Sequence, residues 1–354
     1  MSGILVGTVD GVYRLERDET TSRGWTVGRH SLGGTHVSAL LHVPAVGLLF
    51  AGAHSGGLFV SQDEGKSWAT AGSGIAPGHE HVFTLAAQPR GENFVLWAGT
   101  QPAALYRSDD LGRTWSEISS LRAVPGTERW NFPVPPHIAH VKHVAFHPSD
   151  PATLYVCIEQ GALLKSVDDG RSWRELTGYA SPDDYWYHDA HRVVIARNPA
   201  KLYLTGGEGV YASEDGGETW KQLATRHDRL GYPDALFLDP RSERVLYLAG
   251  GGTSPDAWER GPQGTGNPGI LRSGDGGKTW AELRNGLPAY IRGNIEAMSM
   301  YRWVKTAALI AATTAGDVFA SEDRGEEWEL IASGLPPISK VGHYKLFLAE
   351  SKAL

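Results

Sequence analysis

The stretch SVDDGRSW, residues 166–173, decides the fold because its spacing returns along the chain. SQDEGKSW begins at 61, SDDLGRTW at 108, SEDGGETW at 213, SGDGGKTW at 273 and SEDRGEEW at 321. The opening serines stand 47, 58, 47, 60 and 48 residues apart. Periods of that size, with about four short strands per unit, belong to propeller blades. One unit is legible from 140 to 176: HVKHVAFH as strand A, PSDPAT as a turn, LYVCI as B, ALLKSV as C and SWREL as D. The Ser-x-Asp-x-Gly segment is then the hairpin joining C to D. Its Asp accepts backbone N–H groups, its Gly supplies a positive φ, and the Trp that opens strand D offers a large apolar face for packing.

Composition agrees with an all-β chain. Its 354 residues include 44 Gly, 12 Trp and 13 Tyr, and no long segment keeps a 3.6-residue apolar period. The single Cys157 excludes an intramolecular disulfide and a thiolate metal cluster. A net charge of −7 argues against a nucleic-acid or anionic-membrane partner. No apolar run approaches a spanning helix, and MSGILVGTVDGVYRL lacks a secretory pattern, so a soluble cytoplasmic protein is expected.

The six motifs match the Asp-box, and the chain resembles the BNR/Asp-box β-propellers, which include sialidases, sortilin-like receptors and photosystem II assembly factors. The sixth copy departs from the pattern with Glu327 where the others have Ser or Thr. Six motifs still imply seven blades. Residues 1–30 read as strands B, C and D of a closing blade with a degenerate turn before Trp25, and residues 340–350 read as its strand A. The expectation is a single seven-bladed propeller over 1–354, closed by its two ends so that no sheet edge is exposed. The Asp-boxes themselves read as scaffold and do not reveal the activity.

A second column carries the chemistry. Counting eight residues back from Pro44, Pro89, Pro148 and Pro199 gives His36, His81, His140 and His191. Blades five and six give Tyr232 and Asn294, and the closing strand puts His343 in the same register. Inner strands line a propeller's channel, so His36, His81, His140, His191 and His343 are expected to converge as metal ligands. Fe or Cu is favoured, with Zn or Mn as alternatives. Glu80, Asp189 and Glu296 flank the column as candidate catalytic acids or bases, or as acceptors that orient imidazoles. His79, His137 and His188 stand just upstream as outer groups; His42, His54, His147 and His227 read as surface or packing, and His143 is ambiguous.

The long loops at 116–139, 177–190 and 251–269 should rise over this column. They carry Trp130, Phe132, Tyr185, Trp186, Tyr187 and Trp258, which with Tyr232 and Asn294 form a candidate pocket for a small apolar or aromatic substrate. The leading expectation is therefore a metal-dependent oxidoreductase. Its architecture looks like that of carotenoid-cleaving dioxygenases, an analogy of shape and not of sequence. A metal-dependent hydrolase or lyase, and a non-catalytic assembly propeller, are the alternatives. Glycosidase activity ranks below these, because no Arg-Ile-Pro segment of the sialidase kind is present and no catalytic carboxylate pair can be chosen from sequence.

Overall fold

A computed structural model describes residues 3–18, 20–21, 24–54, 56–132, 137–254, 266–302 and 307–338. His343, Trp258 and the expected closing strand at 340–350 lie outside the described residues. Among the described residues the strands form seven antiparallel sheets, six of four strands and one of three, each in chain order. This is the seven-bladed β-propeller expected from the repeats. The six four-stranded blades begin with inner strands Val37–Val43, His81–Arg90, Val141–Phe146, Ala190–Ile195, Tyr232–Asp239 and Ile295–Arg302. We number them blades 1 to 6.

The three-stranded sheet, Gly3–Thr8, Gly11–Arg17 and Trp25–Ser31, is blade 7. Its first strand occupies the B position, and the close approaches between blades show why. A Cβ on Gly52 of blade 1 would lie 2.7 Å from Val82 Cγ1 of blade 2, and one on Gly99 of blade 2 would lie 2.5 Å from Val141 Cγ1 of blade 3. Both glycines are on second strands. Gly7 meets Val37 of blade 1 in the same way, at 2.9 Å. On the outer side Arg17 Nη2 reaches Glu322 Oε1 of blade 6 at 2.6 Å.

The Asp-box turns behave as their residue types require. Ser166 Oγ donates to Asp168 Oδ1 (2.8 Å) and accepts from the Gly170 N–H (2.9 Å), while Asp168 accepts from the Ser172 backbone N–H (2.9 Å). Hydrogen bonds from Ser172 hold the Asp168 carboxyl down at about 2. Asp169 and Gly170 both take positive φ, 63° and 81°, so the turn needs a glycine at one of two consecutive left-handed positions. In the first three copies the Trp that follows reaches the preceding blade: Trp68 Nε1 donates to Ser31 Oγ, Trp115 Nε1 to Ala71 O and Trp173 Nε1 to Ser120 Oγ, whereas Trp220 Nε1 donates to Gly217 O of its own turn. Apolar layers between blades complete the core. Trp97, Leu105, Val141, Val156 and Leu164 fill the space between blades 2 and 3, each large side chain contributing roughly 1.5–3 kcal/mol by leaving water.

One irregularity recurs and positions the site. Every described inner strand of blades 1 to 6 carries a β-bulge at its second turn of pairing, at Ser38, Phe83, Lys142, His191, Asp234 and Glu296. A bulge leaves one residue outside the ladder and re-aims its side chain. Lys142, His191, Asp234 and Glu296 line the central channel.

Candidate functional site

The bulges provide a register independent of the prolines. Two residues ahead of each bulge stand His36, His81, His140, Asp189, Tyr232 and Asn294, which form the layer at the channel mouth. His191 is not in this layer. It is itself the bulged residue of blade 4, and Asp189 takes the mouth position. The strand Ala190–Ile195 is followed by Ala196, Arg197 and Asn198 before Pro199, two residues more than separate Phe146 from Pro148, so counting from the proline misplaces the histidine by two. The expected ring of five aligned imidazoles is thereby corrected: three described histidines, His36, His81 and His140, share the layer, and His191 lies one layer deeper.

On the blade 1–2 side a fourth histidine joins them. His54 follows strand Leu48–Ala53 and donates its backbone N–H to His36 O at 2.8 Å. Its ring lies 5.2 Å from that of His36, 4.8 Å from His81 and 5.4 Å from Phe83, centroid to centroid. Burial, and then the neighbouring His36, His81 and His140, push its pKa down to about 3. His54 was expected at the surface or in packing; the position just past strand B is what brings it inward.

The same position in blade 3 holds Glu159, absent from the sequence-based candidates. It is the centre of a buried charged network. Glu159 Oε1 accepts from Lys142 Nζ at 2.7 Å and from Tyr232 Oη at 3.1 Å, and His140 Nε2 lies 2.8 Å from Oε2. Lys142 Nζ also stands 3.4 Å from Asp234 Oδ1. Burial disfavours the Lys142 ammonium, but Asp234, Glu159 and Asp189 outweigh it and hold it above the ordinary lysine range. Burial likewise opposes a charged Glu159, yet Lys142, His140 and His191 prevail and keep its carboxyl well below the usual range.

His191 is fully enclosed, with Nδ1 2.8 Å from the Pro233 carbonyl oxygen and Nε2 3.1 Å from Asp189 Oδ2. Both partners are acceptors, a setting that favours the doubly protonated imidazole. Burial opposes this, but Asp189 wins and the pKa is raised. Asp189 Oδ1 additionally accepts the Gln160 N–H at 3.2 Å. Two cations, Lys142 and His191, therefore face three carboxylates, Glu159, Asp189 and Asp234.

Glu159, Asp189 and His191 present donor atoms within 4.8 Å of one another, a spacing that suits a cation. The Lys142 ammonium already holds Glu159 Oε1 at 2.7 Å, and a divalent ion would have to share that carboxylate against like charge. The donor set fits the lysine better than a metal.

The other candidates divide. Glu296 lines the channel, half-buried. Glu80 is exposed and accepts the Gly78 N–H at 2.8 Å, away from the buried network. Asn294 is buried; its backbone N–H donates to Thr314 Oγ1 at 2.9 Å, and its side-chain Oδ1 meets no hydrogen-bond donor among the described residues. Tyr232 is buried within the charged network, Phe132 is buried against His140 at 5.2 Å, and Trp130 packs on the blade 2–3 core. Of the outer histidines, His79 contacts Tyr106 Oη at 2.7 Å, His137 Nδ1 donates to Phe132 O at 2.9 Å, and His188 lies 2.6 Å from Glu175 Oε1.

The loop-face aromatics Tyr185, Trp186 and Tyr187 form one platform. The Tyr185 and Trp186 rings meet edge to face at 4.6 Å, and Tyr187 stacks on His188 at 4.2 Å. Glu208, in the turn between strands B and C of the same blade, accepts the Tyr185 N–H at 2.8 Å and the Trp186 N–H at 3.2 Å. The loop is thus tied down at both ends, by Glu208 and by the His188–Glu175 pair. Tyr185 remains 60% exposed, too much for a purely packing role.

Known proteins resemble the chain in sequence and in shape. It is 28% identical over 260 residues to a xyloglucanase of Acetivibrio thermocellus, a match spanning 64% of this chain and 29% of the relative. A xyloglucanase of Paenibacillus sp is also 28% identical over 260 residues, spanning 65% of this chain and 24% of that one. The chain therefore spans less than a third of the length of these curated relatives. Among solved structures, an ancestral GH74 enzyme superposes with a TM-score of 0.63 at 18% identity, over 84% of this chain and 39% of that one. YCF48 bound to D1 peptide superposes with a TM-score of 0.55 at 16% identity, over 93% and 89%. No profile of a known protein family matches the chain. These structural likenesses are of the propeller fold. The sequence relatives overturn the expectation of a metal-dependent oxidoreductase: they are named as glycan hydrolases, the class ranked lowest from sequence.

Proposed function

We propose that the chain is a carbohydrate-directed propeller that binds an oligosaccharide on its loop face and hydrolyses its glycosidic bonds. The similarity over 260 residues to proteins named xyloglucanases carries this reading. The platform of Tyr185 and Trp186 supports it, because the C–H faces of a pyranose pack on exposed aromatic rings. Glycoside hydrolysis takes two carboxyl groups, one donating a proton and one ionised. Glu159 is unsuited to donate, since Lys142 holds it ionised, and Asp189 is enclosed by His191 and Gln160. Asp234 and Glu296 face the channel from adjacent blades and are the carboxyls this reading assigns. Asp234, beside Lys142, suits the ionised role, which leaves Glu296 as the acid.

The test is to incubate the purified chain with xyloglucan and with its oligosaccharides, following new reducing ends and, separately, retention in a xyloglucan-containing gel. Hydrolysis lost in Asp234→Asn and Glu296→Gln, with binding lost in Trp186→Ala, is the expected pattern. Retention without new reducing ends would remove the hydrolytic half of the proposal. Neither retention nor hydrolysis, with any glycan, would sink it.

A further inference from the structure

The platform is more specific than an aromatic strip. Arg226 Cζ lies 5.1 Å from the Tyr185 ring centroid and Arg129 Cζ lies 5.5 Å from that of Tyr187. The two arginines come from different loops, 226 from the end of blade 4 and 129 from the long connection between blades 2 and 3. Both are exposed. Tyr187 has His188 stacked on it as well, with the planes 9° apart. At both ends of the strip, then, a ligand meets a guanidinium laid on a tyrosine in addition to bare ring.

Resting on the carbohydrate reading above, we propose that this platform selects glycans bearing carboxylates, namely hexuronate-containing oligosaccharides, through Arg129 and Arg226. A guanidinium held over a ring offers a planar fork of N–H donors that matches a carboxylate, and its prior ordering lowers the entropy cost of binding. Neutral glucans would leave both forks with water. Of the acidic groups nearby, Glu175 is engaged by His188 and Glu208 and Asp184 by their own loop, while Glu128 stands beside Arg129 in sequence. Glu208 accepts two backbone N–H groups and stands 3.3 Å from Arg226 Nε, a contact that uses only that nitrogen. Asp184 Oδ2 accepts the Ser181 N–H at 2.7 Å. Arg129 forms no ion pair among the described residues, and Arg226 keeps both Nη groups available.

The experiment is calorimetric titration of the whole chain with an oligogalacturonate and with cello-oligosaccharide and xyloglucan oligosaccharide of similar length, at low and at physiological salt. The charged ligand should bind more tightly, and its affinity should fall with salt. Arg129→Ala and Arg226→Ala should each weaken it by about tenfold, in line with loss of one charge-assisted contact, and weaken the neutral ligands far less, so that the preference for the charged ligand falls. Both residues are surface-exposed, so unchanged thermal melts show that the variants fold. Binding of neutral ligands alone, indifferent to both arginines, would overturn this inference and leave the carbohydrate reading standing. Should no glycan of either kind bind while the wild-type chain is folded, the carbohydrate reading fails and this inference falls with it.

Discussion

His54 offers the sharpest quantitative test of the channel mouth. Its folded pKa is about 3 against an ordinary 6.5, because burial and three neighbouring imidazoles oppose a further charge. A base whose folded pKa is depressed supports folding fully above its unfolded pKa and loses that support as the pH falls below it. Taking 1.36 kcal/mol per pH unit, the penalty is about 2 kcal/mol at pH 5 and about 3 kcal/mol at pH 4, saturating near pH 3. Urea denaturation of the wild type and of His54→Gln at pH 7, 5 and 4 measures this directly. Glutamine cannot titrate, so the variant starts from a lower stability at pH 7 and the two curves converge with acid by those amounts. Carboxylates elsewhere give both proteins a common acid slope, which the subtraction removes. If the difference between the two proteins stays constant from pH 7 to pH 4, His54 is not held neutral by its surroundings, and the packed cluster with His36 and His81 is wrong.

Further outcomes follow from the charged network and the platform. Lys142→Met strands the buried Glu159 carboxylate and should cost about 3–5 kcal/mol at neutral pH, with Glu159→Gln recovering part of the loss in the double variant; strictly additive losses in urea melts would refute their pairing. His191 carries a raised pKa, so its contribution is fully present below the unfolded value of about 6.5 and is lost as the pH rises through the folded one. Asp189→Asn should therefore reduce stability below that window more than above it, as read from melts across pH 5 to 9. Because the Lys142 ammonium sits among the carboxylates, a strong chelator should leave the melting temperature unchanged; a marked drop, with release of near-stoichiometric metal, would show that a metal ion contributes after all. Glu208→Ala frees two backbone N–H groups of the platform loop and should weaken glycan binding several-fold without altering the melt, as titration would show.

What could be read from the sequence, and what could not, follows from the range of each interaction. The Asp-box is local: Ser166, Asp168, Gly170 and Ser172 satisfy one another within a single turn, so their spacing alone specifies it, and six copies specify the architecture. The blade order and the inner strands follow from that repeat. The mouth layer was legible where the spacing from the bulge to the following proline is constant, which is why His36, His81, His140 and Tyr232 fall in register, and Asn294 follows from the apolar pattern of its strand. It failed at blade 4, where the turn before Pro199 is two residues longer and the bulge, a property of cross-strand pairing, is invisible in composition. Glu159 and His54 were missed for a related reason. Each stands just past a second strand, and only the closure of the ring carries that position toward the axis, where Glu159 meets Tyr232 across 73 residues of chain. The strongest available clue was the repeat itself, since aligning blades 1 and 3 on strand B sets both residues in one column. Lys142 and His191 then face Glu159, Asp189 and Asp234 at the place where a histidine ring had suggested a metal. Of the carboxyls, Asp234, at the edge of that network beside Lys142, and Glu296 line the channel, and they are the ones on which hydrolysis has to depend if the carbohydrate reading holds.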